Sequence, residues 1–326
     1  MSRLGPGHML LGALLLIYPT VASDFFLTQI GGYSLILGLL ALSLMLLAGY
    51  GGIVSLAQIS VAGVAGYAVA ILGDNASNVM GFGWSWWISV PFAIVLAAIS
   101  SALIGWISAR TDGVYTIMIT LAIAMAMFYF TQQNHSLFNG HSGYSGLRMP
   151  TFWGVTWRNP LPFYYVCLTT ATVCYGAVLY ASSSTFGLTL QATRDNPRRM
   201  RSIGYDVTLH KIFAWFLSGL IAGLSGVLLV WFNGRISPGT IGVNVAIDVL
   251  IVAVLGGMRH PIGPFIGALV VVLLKTFAID LIGADRFNTL IGLVFLAIVF
   301  ASPDGLLGLW VRFRSRLKKK PIRPET

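Results

Sequence analysis

The sequence is poor in charge. Only 9% of its 326 residues are Asp, Glu, Lys or Arg, against roughly 25% in an ordinary soluble domain. So few charges cannot cover the surface of a water-soluble globule, which excludes a soluble enzyme and a charged, disordered tail. Acidic residues are the scarcest, ten against 20 Lys and Arg. Cysteine is nearly absent, which excludes a disulfide-stapled secreted domain. Cys167 and Cys174 lie seven apart in one apolar run. On a helix they would sit about two turns apart, too far to bridge, and they read as buried, inert thiols. Catalytic signatures are lacking too. There is no Gly-x-Ser-x-Gly elbow, no His-Glu-x-x-His and no Walker A loop. The five histidines, His8, His135, His141, His210 and His260, are scattered without ligand spacing. No metal or cofactor is expected, and any ATP must be used by another subunit.

Apolar residues are what the chain has in excess, at 56%, with 37 glycines, many inside apolar runs. This composition predicts an all-α polytopic membrane protein with about ten transmembrane helices, since a span needs about 20 mainly apolar residues. The candidate spans are about 8–22, 27–48, 53–73, 86–108, 113–131, 161–182, 209–232, 243–257, 262–282 and 286–302. They form one membrane domain over 1–326, with a polar loop at 187–208 and a basic tail at 303–326. Gly219, Gly223 and Gly226 suit close helix contact in lipid. The basic start and small residues Val21–Ser23 also fit a cleavable signal, which would leave nine spans.

Charge orients the spans. With the N-terminus inside, the inner segments hold fifteen Lys and Arg and the outer segments four, namely Arg148, Arg158, Arg235 and Arg286. That asymmetry satisfies the positive-inside rule. It also explains the net charge of +10 without nucleic acid, because most basic residues cluster at 194–211 and 312–323 beside apolar spans. Trp84, Trp86 and Trp87 fit an aromatic belt at the outer edge.

The most informative polar segment is 187–211, GLTLQATRDNPRRMRSIGYDVTLHK. Asp195 or Asn196 can cap a helix, Pro197 suits its first turn and Gly204 its end. A short basic helix results. It is either a topology anchor at the headgroups or a docking helix for a cytoplasmic partner, and chemistry alone leaves both open.

QATRDNPRRMRSIG, 191–204, resembles the coupling segment of the permease subunits of bacterial branched-chain amino acid ABC importers of the LivM-like type, commonly R-A-x-R-D-N-P-x-R-A-x-x-x-G. Asp195, Asn196, Pro197, Arg198, Arg199, Ser202 and Gly204 match, while Met200 stands where that family has Ala. Four further segments agree in order. They are GYGGIVSLAQISVAGVAGY at 49–67, HSGYSGL at 141–147, AIDVLIVAVLGGMRHPIGPFIGA at 246–268 and SPDGLLGLW at 302–310. Ile53, Ser60, Val61, His141, Ser142 and Tyr144 depart from the family pattern.

The resemblance implies a division of labour. A periplasmic binding protein delivers solute, a second permease subunit completes the pathway in the membrane lipid, and two cytoplasmic ATPases dock on a short cytoplasmic coupling helix. That helix would use Arg194, Asp195, Asn196, Pro197, Arg198, Arg199, Ser202 and Gly204. The setting implied is the bacterial inner membrane. The architecture serves branched-chain amino acids, urea and short amides, and some aromatic acids, so the substrate stays open.

Within the spans, ionisable groups mark function by default. Asp248 and Lys275 lie in adjacent antiparallel spans at depths differing by roughly 6 Å. They can pair, or Lys275 can snorkel while Asp248 meets a partner. Ser55 and Gln58 share a face of the third span and are candidates for the substrate pathway. The glycines around them suit plain packing or a broken helix. A self-sufficient secondary transporter or channel would also explain the spans and the intramembrane charges, but not the capped basic helix.

Overall fold

A computed structural model describes residues 15–20, 22–75, 81–147, 149–152, 155–157, 159–282 and scattered positions between 289 and 308. Among these, six helices are long and apolar enough to cross a membrane. In chain order the main helices are α1 (Phe26–Tyr50), α2 (Gln58–Leu72), α3 (Trp86–Ser108), α4 (Val114–Gln133), α5 (Pro160–Ser183), α6 (Thr185–Asp195), α7 (Pro197–Ser202), α8 (Val207–Asn233), α9 (Val243–Gly256, extended to a span by the 3-10 turn Pro238–Ile241) and α10 (Gly263–Ile282). Two-residue strands β1 (Tyr144–Ser145) and β4 (Arg235–Ile236) pair antiparallel, as do β2 (Thr151–Phe152) and β3 (Val155–Thr156). The chain is thus a helical, multi-pass membrane protein. Most of the expected first span, 8–22, and of the last, 286–302, lies outside the described residues, as does nearly all of the tail 303–326.

α1 is the axis of the bundle. It carries no charge, and 94% of its most apolar stretch is buried inside the chain. Helices hydrophobic on every side are buried ones. Its ends, Phe26–Gly32 and Leu46–Tyr50, widen into π-helix around an α-helical centre, Tyr33–Met45. Ser34 and Ser43 donate back to the carbonyls of Gly31 and Leu40, so neither hydroxyl is stranded.

α8 holds this axis against α2 and α3. The buried residues of α3 are almost all small: Ser89, Ala93, Ala97, Ala98, Ser101, Gly105 and Ser108. Most recur every four positions, which puts them on one face. α8 presents Gly219, Gly223 and Gly226 to that face and to α2. A Cβ at Gly219 would lie 2.4 Å from Ser101, one at Gly223 3.0 Å from Ala97, and one at Gly226 2.1 Å from the Ala62 carbonyl oxygen. Small residues let backbones approach where lipid offers no hydrophobic drive between helices. Serines then join the backbones. Ser218 donates to the Ser43 carbonyl at 2.8 Å, Ser225 to Ile36 at 2.9 Å and Ser101 to Trp215 at 2.7 Å. Both pairs on α1 and α8 are seven apart, so two antiparallel helices keep register.

One expected span is interrupted. The run 53–73 is helical only from Gln58. Residues 52–57 are irregular, and Gly52 takes φ +68°, a conformation open to glycine. The lost helical bonds are replaced locally. The amide of Leu56 donates to Thr120 Oγ1 and that of Ala57 to Ser55 Oγ. Non-helical backbone inside a membrane protein survives only where protein covers it.

Gly219→Val should cost about 1–3 kcal/mol by overpacking the α3–α8 contact. Gly176→Val, on an exposed face where a Cβ meets nothing within 4 Å, should cost far less. Thermal unfolding of the two variants in detergent would separate them. Equal melting temperatures would refute the packing account.

Candidate functional site

Three places gather the polar groups singled out from the sequence. The first is the segment between α5 and α8, where the expected loop is two helices. Ser184 caps α6, its Oγ accepting from the Gly187 amide at 3.4 Å. The chain then turns at Asn196, whose Oδ1 accepts from the Arg199 amide at 3.0 Å. Asn196 is therefore the cap of α7, and Pro197 occupies its first turn. Asp195 is free for another task. It pairs with Arg194, Nη2 to Oδ1 at 2.9 Å. Gly204 follows α7 at φ +96°, the left-handed exit favoured by glycine.

α7 projects. Arg198, Arg199, Arg201, Ser202, Ile203 and Tyr205 are exposed, and Met200 is the buried anchor of the turn. The larger Met in place of the family's Ala thus fills the contact that seats the helix. Arg194 reaches the other way. Its Nη1 donates to the Gly49 carbonyl at 2.6 Å, at the widened end of α1. Its stem lies on Gly52, where a Cβ would stand 2.5 Å from Cγ. Leu190 packs beside Gly51. The segment α6–α7 is fastened to the end of the central helix.

The second place lies within the spans. Lys275 Nζ of α10 donates to Asp248 Oδ2 of α9 at 2.6 Å. The two helices form an antiparallel hairpin held close by glycines. A Cβ at Gly256 or Gly267 would strike backbone of the opposite helix at 2.0 and 2.1 Å. The side chains of Lys275 and Asp248 keep 28% and 34% of their exposure. Tyr33 of α1 stands within electrostatic range of both charges and stacks on Phe232 at 5.3 Å. A half-open ion pair in an apolar helix is costly against lipid, and such groups pair and face protein or water.

The third place is a buried node of α1, α2 and α8. Ser43 and Ser218 hydroxyls both lie 3.2 Å from Gln58 Oε1, and Gln58 is 1% exposed. Each hydroxyl has one proton, and each already lies close to a backbone carbonyl, Leu40 at 2.6 Å and Ser43 at 2.8 Å. The Gln58 Nε2 as placed has no partner. Turning the amide over gives both hydroxyls a donor. Its nitrogen then donates to both hydroxyls, which donate to the carbonyls; the choice of O and N is an assignment from the network. Ser55 is also wholly buried and serves as the turn that starts α2. Ser43 and Ser218 were not evident beforehand, because a serine in an apolar run carries no signal of its neighbour 175 residues away.

A multi-pass bundle with a projecting basic helix at one end and an ion pair inside its spans is a membrane transport permease in architecture. The comparisons with known proteins specify which. Residues 26–300 match the family described as branched-chain amino acid transport system / permease component, and the chain belongs to that family. It is 24% identical over 314 residues to the high-affinity branched-chain amino acid transport system permease protein LivM of Salmonella typhimurium, covering 89% of this chain and 68% of that one. It is 23% identical to the LivM of Escherichia coli over the same shares. Over 151 residues it is 30% identical to the probable branched-chain amino acid transport permease protein LivH of Methanocaldococcus jannaschii, covering 44% of this chain and 47% of that relative. The match thus spans about half of LivH and about two thirds of LivM. No solved structure matches.

Breaking the pair should be worse than reversing it. Asp248→Asn or Lys275→Gln leaves one charge unpaired in the membrane, a loss of about 1–3 kcal/mol after allowing for partial exposure. Asp248→Lys combined with Lys275→Asp should recover much of that stability and of solute uptake. A double variant as damaged as the sum of the singles would refute the pairing.

Proposed function

We propose that this chain is a permease subunit of an ABC importer in the bacterial inner membrane. It moves branched-chain amino acids inward, driven by ATP hydrolysis in two partner ATPases. The family and its relatives carry the transport reading. The ATP-coupled reading rests on one observation, the form of α7: a capped, basic helix that projects from the bundle with three exposed arginines and nothing of the described chain over them. A topology anchor needs only charge. A helix with a defined start, a left-handed glycine exit and exposed Ile203 and Tyr205 has the shape of a docking knob. Arginine near an anionic surface is worth about 1 kcal/mol, and on a partner it can form bidentate pairs.

In this reading the basic end of the bundle is cytoplasmic, the N-terminus is inside, and ten spans complete the topology. Arg194, Asp195, Asn196, Pro197, Arg198, Arg199, Ser202 and Gly204 form or hold the coupling helix. A second permease subunit covers the α9–α10 face, and a periplasmic binding protein supplies solute. Asp248 and Lys275 line the pathway, because a third of each side chain is open and lipid is an unsuitable neighbour. A zwitterionic amino acid offers that pair a carboxylate and an ammonium in exchange. Ser55 and Gln58, buried in this conformation, hold the broken start of α2 and meet solute only if the break opens. The division of work is alternating access, in which ATP binding shifts the population of bundle orientations through α7.

Tagged chain purified from native membranes should bring down two Walker-motif ATPases and a second permease. Gly204→Arg, at a left-handed position where a Cβ is strained, should insert normally, lose the ATPases and abolish uptake. A chain that purifies alone and transports without ATP would instead be a secondary transporter or channel. Recovery of the ATPases with a urea- or amide-binding protein would keep the assembly and change the substrate.

A further inference from the structure

A polar cavity of about 300 Å³ opens at the end of the bundle that carries α7. It is walled by four elements: the broken stretch Gly51–Val54, the α3–α4 turn with Thr111, Asp112 and Gly113, the α6–α7 junction with Thr193, Arg194 and Pro197, and Lys211 of α8. Its volume falls at the lower end of small-molecule sites. None of its residues belongs to the ion pair or to the exposed face of α7.

Its electrostatics favour an anion. Lys211 is buried, its side chain 9% exposed, and its ammonium is 2.8 Å from Asp112 Oδ1. Asp112 is 80% exposed. A carboxylate so well solvated can swing into water at little cost, whereas the ammonium it leaves cannot. Arg194 adds a second cation on the wall. The start of α4 adds a third source of positive potential. Its flanking residue, Gly113, has φ +61° and no side chain to cap the first turn, so free amides and the positive end of the dipole are turned toward this junction. Thr116 in that turn lines the cavity, and Thr193 opposite has a buried hydroxyl without a hydrogen-bond partner. Arg194 is balanced by Asp195, 2.9 Å away, so the positive potential rests on Lys211, whose carboxylate is loosely held, and on the start of α4.

We propose that this cavity is a binding site for a small carboxylate- or phosphate-bearing solute, with Lys211 as its central ligand and Asp112 as the group the solute displaces. The anion would bridge α8, the start of α4 and the α6–α7 junction, and so fix the junction relative to the bundle. That consequence for transport rests on the coupling reading of α7; binding itself does not. Two sources share this chemistry. One is an amino acid accumulated on the same side, which would set its carboxylate on Lys211 and its ammonium on Asp112. The other is inorganic phosphate.

Equilibrium binding of labelled leucine and of labelled phosphate to the purified, nucleotide-free transporter complex tests this directly. Saturable binding of at least one probe is expected, weakened about tenfold or more in Lys211→Gln, the scale of one lost charge-assisted contact. Asp112→Asn separates the sources. It should strengthen phosphate binding several-fold by removing the competitor, and weaken leucine binding by removing the ammonium's partner. Asp112 is exposed, so this variant should fold even if Lys211→Gln does not. No binding of either probe, or affinities that ignore both substitutions, would overturn the site. Binding lost in Lys211→Gln while ATPase attachment is unchanged would keep the site apart from the docking reading, which has its own test in co-purification.

Discussion

Everything in this bundle depends on how closely α8 approaches α1, α2 and α3. In lipid, two apolar helices gain nothing from excluding water, so contact must come from packing and from hydrogen bonds between chains. Gly219, Gly223 and Gly226 remove the side chains that would hold the backbones apart. Ser218 and Ser225 then reach the carbonyls of α1. The reward for close approach is register. With α1 fixed, the buried amide of Gln58 finds two hydroxyls, α2 can begin late without exposing its amides, and α9–α10 has a surface to pack on.

The same axis links the two ends of the functional account. Arg194 holds the Gly49 carbonyl of α1, and the Met258 carbonyl lies so near Gly49 that a Cβ there would stand 2.2 Å from it. Met258 belongs to the turn of the α9–α10 hairpin, which carries Asp248 and Lys275 further along. A force on α7 therefore meets α6, Gly49 and the hairpin turn in succession, through short contacts with no slack. Rigid-body rocking, common where transporters alternate access, is what such a chain of contacts transmits well.

Much of this was legible in the sequence, and the failures have physical causes. α3, α4, α5 and α8 fall within two residues of their expected spans, because twenty apolar residues between polar ends leave little choice. The late start of α2 was half legible, since the glycines around it suited a broken helix as well as plain packing. Hydropathy sees Ile53–Ala57 as apolar whether or not it is helical, and only Gly52 at positive φ decides. The shared face assigned to Ser55 and Gln58 presumed an unbroken helix; in the structure one starts the turn and the other anchors α2. At 195–196 either residue could cap, and geometry chose Asn196 because Asp195 was drawn to Arg194. α6 went unrecognised as a helix, since its threonines and single glycine favour a loop reading. Asp112 and Lys211 lie 99 residues apart, and nothing in the sequence signals that they meet.

Continuity between the α6–α7 segment and the hairpin is the central claim, and a distance measures it. Spin labels at Leu188→Cys on α6, clear of the docking residues, and Leu269→Cys on α10, both exposed positions, can be read by pulsed electron resonance; Cys167 and Cys174 are buried away from the reagent. In the complete transporter the separation should be the same with and without bound ATP, and should broaden when Arg194→Ala cuts the tie to Gly49. A separation that shifts on ATP binding, with Arg194 intact, by more than about one helical turn, roughly 5 Å, would mean that the α6–α7 segment moves independently of the bundle and would contradict the account.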